Sequence, residues 1–129
     1  MAEKDVIRTD RAPGPFQGAP YNQAIRVGDL VFVAGQLGVS LETGELAGPS
    51  AAEQTEQVMG NLAAILEAAG SSLDRLVKTT VFLIDLDDFA AMNDVYARHV
   101  GDRPPARSTV EVAGLPTGAR VEIEAVAHV

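Results

Sequence analysis

Between Val77 and Ile84 the chain reads VKTTVFLI, a β-branched and aromatic run that carries apolar groups on both of its faces. Successive side chains of a strand point to opposite sides of a sheet. A strand of this kind therefore belongs in a sheet interior with cover on each side. The rest of the chain has to provide both covers.

Two helical segments are readable. The run SAAE places Ser50 and Glu53 in capping-box register. Val58, Leu62, Ile65, Leu66 and Ala69 then recur along one stripe up to Gly70, where a left-handed cap is expected. The second helix follows Asp85, Asp87 or Asp88, any of which can satisfy the free N–H groups of a first turn. Its Phe89, Met92, Tyr96 and Val100 keep helical spacing as far as Gly101. Two helices cover only one face of a sheet, so the open face is expected to pack against other copies of the chain.

The remaining strands are marked by turn residues and alternation. Residues 24–36, AIRVGDLVFVAGQ, hold two β-rich pieces around Gly28-Asp29, a short hairpin. LETGEL turns at Thr43-Gly44, and the loop from Arg11 to Tyr21 is broken by Pro13, Gly14, Pro15, Gly18 and Pro20. Near the C-terminus, ARSTVEVAG and ARVEIEAVAHV alternate polar and apolar residues and are joined through LPTG. Arg107, Thr109 and Glu111 share one face of the first; Glu122, Glu124, Val126 and His128 share one face of the second. The expected order is β-β-β-α-β-α-β-β, an α+β fold with two helices on one face of a mixed sheet, as one domain over residues 1–129.

Composition narrows the function. The 129 residues contain no Cys, which excludes disulfides, thiolate metal sites and cysteine nucleophiles. A net charge of −8 without a basic run argues against nucleic acid as a partner. MAEKDVIRTD has no apolar run, so neither a signal peptide nor a membrane span is expected, and a cytoplasmic protein is the default. The chain has no HExxH, Gly-x-Ser-x-Gly, Walker or Gly-x-Gly-x-x-Gly motif. His99 and His128 are unclustered, so no metal site is expected.

Four polar positions carry two readings each. Tyr21, at the end of a Pro/Gly loop, is either a packing aromatic or a phenol projecting into a pocket. Arg107 is either a surface or ion-paired arginine or a carboxylate clamp. Glu122 and Glu124 are either polar residues of a solvated face or, at a subunit seam, carboxylates with a raised pKa suited to a general base.

At residues 105–123, PARSTVEVAGLPTGARVEI resembles the signature of the RidA/YjgF family of reactive imine/enamine deaminases. GAPYNQAI, FVAGQLGV, LETGEL, NLAAILEAAG, VKTTVFLIDLDDFAAMN and EIEAVA extend the resemblance over nearly the whole chain. The resemblance implies a chorismate-mutase-like fold, a homotrimer with sites in clefts between subunits, and no cofactor. It also implies hydrolysis of 2-imino acids and their enamine tautomers, such as 2-iminobutanoate and 2-aminoacrylate, to 2-oxo acids and ammonia. Position by position, Arg107 matches the carboxylate-binding arginine, Glu122 the carboxylate that activates water, and Tyr21 the tyrosine lining the pocket. Thr109, Gly35, Asn93 and Phe89 match further substrate-binding positions. Ala34 and Thr109 depart from the commonest pattern, which has Ser and Cys there, and this bears on substrate range. A deaminase of bulkier substrates, a non-enzymatic binding trimer and an RNA-cleaving translation inhibitor are the alternatives.

The implied pairing of Arg107 with Glu122 sets a geometric condition. In a hairpin with Val112 opposite Val121, Arg107 would face Val126, and Glu122 would lie about 13 Å away at strand rise. Either the last two strands are not neighbours, or the two residues meet across subunits.

Overall fold

The computed structural model describes residues 3–129. Six strands form one mixed sheet: β1 (Lys4–Ile7), β2 (Ala24–Val27), β3 (Leu30–Leu37), β4 (Leu76–Leu83), β5 (Ala106–Glu111) and β6 (Val121–His128). Helices α1 (Ala51–Ala68) and α2 (Phe89–Val100) lie against one side. The spatial order of the strands is β1-β2-β3-β6-β4-β5. Among the described residues only β4 and β5 pair directly in parallel, and every other neighbouring pair is antiparallel.

This order follows from how parallel strands must be joined. β3 and β4 run the same way on either side of β6, and β4 and β5 run the same way side by side. Each such connection needs a long crossover; α1 provides the first and α2 the second. The C-terminal strand then fills the gap between β3 and β4. β5 and β6 are therefore not neighbours, although only a short turn through LPTG links them in sequence.

Alternation separates the two faces of β4 and β6. Thr79, Val81 and Leu83 of β4, with Val121, Ile123, Ala125 and Ala127 of β6, are buried under the helices. Val58, Met59, Leu62, Ile65 and Leu66 of α1 and Met92 and Tyr96 of α2 complete that core. The opposite face of the sheet is uncovered in the single chain and exposes Val6, Val27, Leu30, Phe32 and Val110.

Local signals behave as expected at most element ends. Ser50 and Glu53 form a reciprocal capping box, and Gly70 adopts φ +84° just past α1. The hairpin at Gly28-Asp29 and the turn at Gly44 are present. Strand β1 lies in an N-terminal segment where the sequence offered no apolar run, and it forms by pairing with β2. The Pro/Gly loop contains a single 3-10 turn, Phe16–Gly18, with Gln17 in the left-handed region. Asp85 caps a 3-10 turn by accepting from the Asp87 N–H, whereas Asp88, at the N-cap of α2, makes no capping bond.

Candidate functional site

The residues singled out in the sequence fall into two groups on opposite faces of the sheet. Arg107 pairs with Thr79 across the β4–β5 ladder, and Thr79 faces the helices. Arg107 and Thr109 therefore point toward α2. Glu122 pairs with Phe82 across the β4–β6 ladder and points to the open face. Three residues along the strands and two strands across put their Cα atoms about 14 Å apart.

In the first group, the Arg107 guanidinium lies between two rings, 5.4 Å from the centroid of Phe89 and 4.9 Å from that of Tyr96. Both distances are within cation–π range. Phe89 and Tyr96 are seven residues apart on α2, two turns along one face. The Tyr96 hydroxyl is hydrogen-bonded to Thr79 Oγ1 at 2.7 Å, which fixes that wall. Burial raises the Tyr96 pKa, opposed by this hydrogen bond and by the Arg107 charge. Among the described residues no carboxylate lies within ion-pairing distance of Arg107; its one polar contact is Met92 Sδ at 4.0 Å. Thr109 Oγ1 and Asn93 Oδ1 are both buried without a hydrogen-bond partner. Buried polar atoms are rarely left so. A stacked, half-buried cation with two unpaired polar atoms, one on its own strand and one on α2, is equipped to take a small anion with further hydrogen-bonding groups.

The second group lines a cavity of about 670 Å³ on the other side. Tyr21, Gly35 and Glu122 contribute to it, with Phe16 and Ala19 from the Pro/Gly loop and with Leu37, Val39 and Pro116. A bulge in β3 shapes the floor. Val33 pairs with Ala125 and Gln36 with Ile123, so Ala34 and Gly35 together oppose Glu124. A Cβ at Gly35 would sit 2.6 Å from Glu122 Oε2 and 2.8 Å from its Cδ, so the absence of a side chain there is what lets the carboxylate lie against the strand. Burial, and secondarily the Glu124 carboxylate, hold the Glu122 pKa above its ordinary value of 4.5. The Tyr21 oxygen accepts a hydrogen bond from the Phe16 N–H at 2.6 Å, which leaves its own proton free to donate. Tyr21 is thus a cavity-lining phenol tied to its loop, not a buried packing ring.

The family model described as Endoribonuclease L-PSP matches residues 11–129. A RutC family protein of Pyrococcus abyssi is 50% identical over 125 residues, covering 97% of both chains. The chain belongs to the RidA/YjgF family. Human 2-iminobutanoate/2-iminopropanoate deaminase is 42% identical over 122 residues, which span 95% of this chain and 88% of the human one. The crystal structure of E. coli TdcF with bound serine has a TM-score of 0.89 and 40% identity, and the match covers 97% of this chain and 98% of that one. The two-helix, mixed-sheet architecture is that of the family.

The sequence did not single out Tyr96 as a candidate site residue, because its helical spacing accounts for it fully as core. The available signal was the pair of aromatics at i and i+7, which in the family context puts two rings on one α2 face with nothing cationic in the helix between them. Among the described residues no group of three or more His, Asp or Glu is placed to hold a metal ion, and no helix is long and apolar enough to cross a membrane.

Proposed function

We propose that this protein hydrolyses 2-imino acids and their enamine tautomers to 2-oxo acids and ammonia, at sites shared between neighbouring chains of a homotrimer. The observation that carries the reading is the unpaired Arg107 guanidinium, stacked between Phe89 and Tyr96 beside the unsatisfied Thr109 and Asn93 atoms. The name of the human relative supports the same chemistry.

Arg107 takes the planar substrate carboxylate through two N–H donors. Because Glu122 lies on the opposite face of its own chain, the carboxylate that completes the site comes from a neighbour whose open sheet face is turned toward this α2–β5 edge. The apolar groups of that open face suit such packing. Glu122 takes a proton from water as the oxygen adds to the carbon of the protonated imine, which gives a neutral carbinolamine. Glu122 returns that proton to the nitrogen, the C–N bond breaks, and the hydroxyl proton leaves with the departing ammonia as ammonium while the carbonyl forms. A carboxyl with a raised pKa is suited to both transfers. Tyr21 donates a hydrogen bond to the substrate through its free O–H, and the remaining acceleration comes from holding water and imine carbon in register.

The test follows imine decay after a threonine dehydratase generates 2-iminobutanoate. Acceleration over buffer is expected, and decay at the buffer rate would sink the proposal. The apolar side chains of Phe16, Leu37 and Val39 beside Glu122 favour one second reading, a preference for bulkier imino acids. Faster turnover of leucine- or phenylalanine-derived imines than of the threonine-derived one would establish that preference. The family description names an endoribonuclease, but a net charge of −8 gives no support to an RNA substrate.

A further inference from the structure

Asp88 occupies the N-cap of α2, yet its side chain makes no capping hydrogen bond. An aspartate at that position ordinarily bonds the free N–H groups of the first turn. Its carboxylate turns instead to Arg120, whose Nε and Nη2 lie 2.9 and 2.7 Å from Asp88 Oδ2. The pair is only partly exposed, with side-chain exposures of 37% for Arg120 and 20% for Asp88.

Arg120 needs none of this to hold its own place. Its backbone N–H donates to the side-chain oxygen of buried Gln54 at 2.8 Å, and its carbonyl accepts from the Ile84 N–H at 3.2 Å. Gln54 is in turn anchored by donating to the Gly48 carbonyl. The start of β6, and with it Glu122 two residues on, is thus fixed through the main chain. The Arg120 side chain acts in the other direction, on the first turn of α2. Phe89 follows Asp88 directly and forms one wall of the Arg107 stack. The other wall, Tyr96, has its own tether in Thr79.

We infer that Arg120 and Asp88 are a positioning pair that holds Phe89 against Arg107 and so sets how tightly the substrate carboxylate is bound. This rests on the deaminase reading for its kinetics but not for its binding test. Arg120→Met and Asp88→Ala each remove this side-chain tie to the first turn, while leaving the Phe89 N–H bond to the Leu86 carbonyl, Arg107, Glu122 and the main-chain anchors in place.

Each single variant is expected to raise KM for 2-iminobutanoate about fivefold, the scale of coupling between residues in direct contact. kcat and the acid limb of its pH profile, which report Glu122, stay within about twofold of wild type. The double variant resembles either single one, and Arg120→Lys recovers part of the loss. In parallel, titration with 2-oxobutanoate reads the same grip without turnover, and the two single variants are expected to bind it about fivefold more weakly. Unchanged KM and affinity in both single variants, or a loss confined to kcat, would overturn the inference while the deaminase reading stands. A wild type that binds 2-oxobutanoate but does not accelerate imine decay removes the deaminase reading and leaves the positioning pair to the titration alone. A wild type that does neither overturns both.

Discussion

Replacing Gly35 by alanine separates the position of the Glu122 carboxylate from the stability of the fold. The added Cβ would lie 2.6 Å from Glu122 Oε2, 2.8 Å from Cδ and 3.1 Å from Cγ, against an ordinary contact distance of 3.4 Å or more. Relief requires about 0.8 Å of movement, and the atoms in the way are the free end of a flexible side chain. Gly35 itself does not occupy the left-handed region, so alanine is not strained in the backbone. The entropy lost by the unfolded chain offsets part of any packing cost, and the net stability change should stay below about 1 kcal/mol. A general base displaced by close to 1 Å, by contrast, loses about 100-fold in rate. Initial rates of imine decay, paired with thermal melts, check both halves. A Gly35→Ala enzyme with wild-type kcat and an unchanged acid limb would refute the placement of Glu122 as the base held against this strand.

Gly38 provides the contrast, because a Cβ there meets the Gln54 carbonyl oxygen at 2.6 Å and its Cα at 2.7 Å, which are helix backbone and cannot swing away. Gly38→Ala should lower the melting temperature by about 4–10 °C, as overpacking against a rigid neighbour costs about 1–3 kcal/mol. Arg107→Ala should lower kcat/KM at least about 100-fold, through loss of charged hydrogen bonds to the substrate carboxylate, while size-exclusion chromatography shows the assembly intact. Glu122→Gln should abolish turnover yet stabilise the fold. With a folded pKa above 4.5, native Glu122 holds its proton where the unfolded chain has lost it, so wild-type stability falls as pH rises through that window. The melting advantage of the glutamine variant should therefore be near zero below the ordinary carboxylate pKa and grow to a plateau above the raised one.

Much of the fold was legible because its signals are local. The capping box at Ser50 and Glu53, the glycines at 28, 44 and 70, and the alternation of β6 each act within a few residues. What lay beyond the sequence was pairing. β1 has no amphipathic pattern of its own and exists through its ladder with β2. The insertion of β6 between β3 and β4 is decided by which strands the two helical crossovers leave apart, not by the short turn that precedes it. The candidate site residues were singled out only through the family motif, since Arg107 in isolation reads as any strand arginine. The motif in turn did not reveal that Arg107 and Glu122 occupy opposite faces of one sheet, which follows from register. Nor could periodicity distinguish Tyr96 as a core residue from Tyr96 as a wall of the arginine stack, because it is both. Asp88 looked like a helix cap in the sequence and is an ion-pair partner in the structure, a difference made by Arg120 arriving from a distant strand.

The central claim is that one substrate is held by Arg107 of one chain and attacked by water activated by Glu122 of another. Mixing Arg107→Ala and Glu122→Gln proteins, each inactive alone, and letting their subunits exchange tests it directly. In a randomly reassorted 1:1 mixture, a site needs an intact Arg107 on one chain and an intact Glu122 on its neighbour, so roughly one quarter of wild-type activity should return. No recovery after demonstrated subunit exchange would contradict the account, because a site built within one chain remains broken in every chain of the mixture.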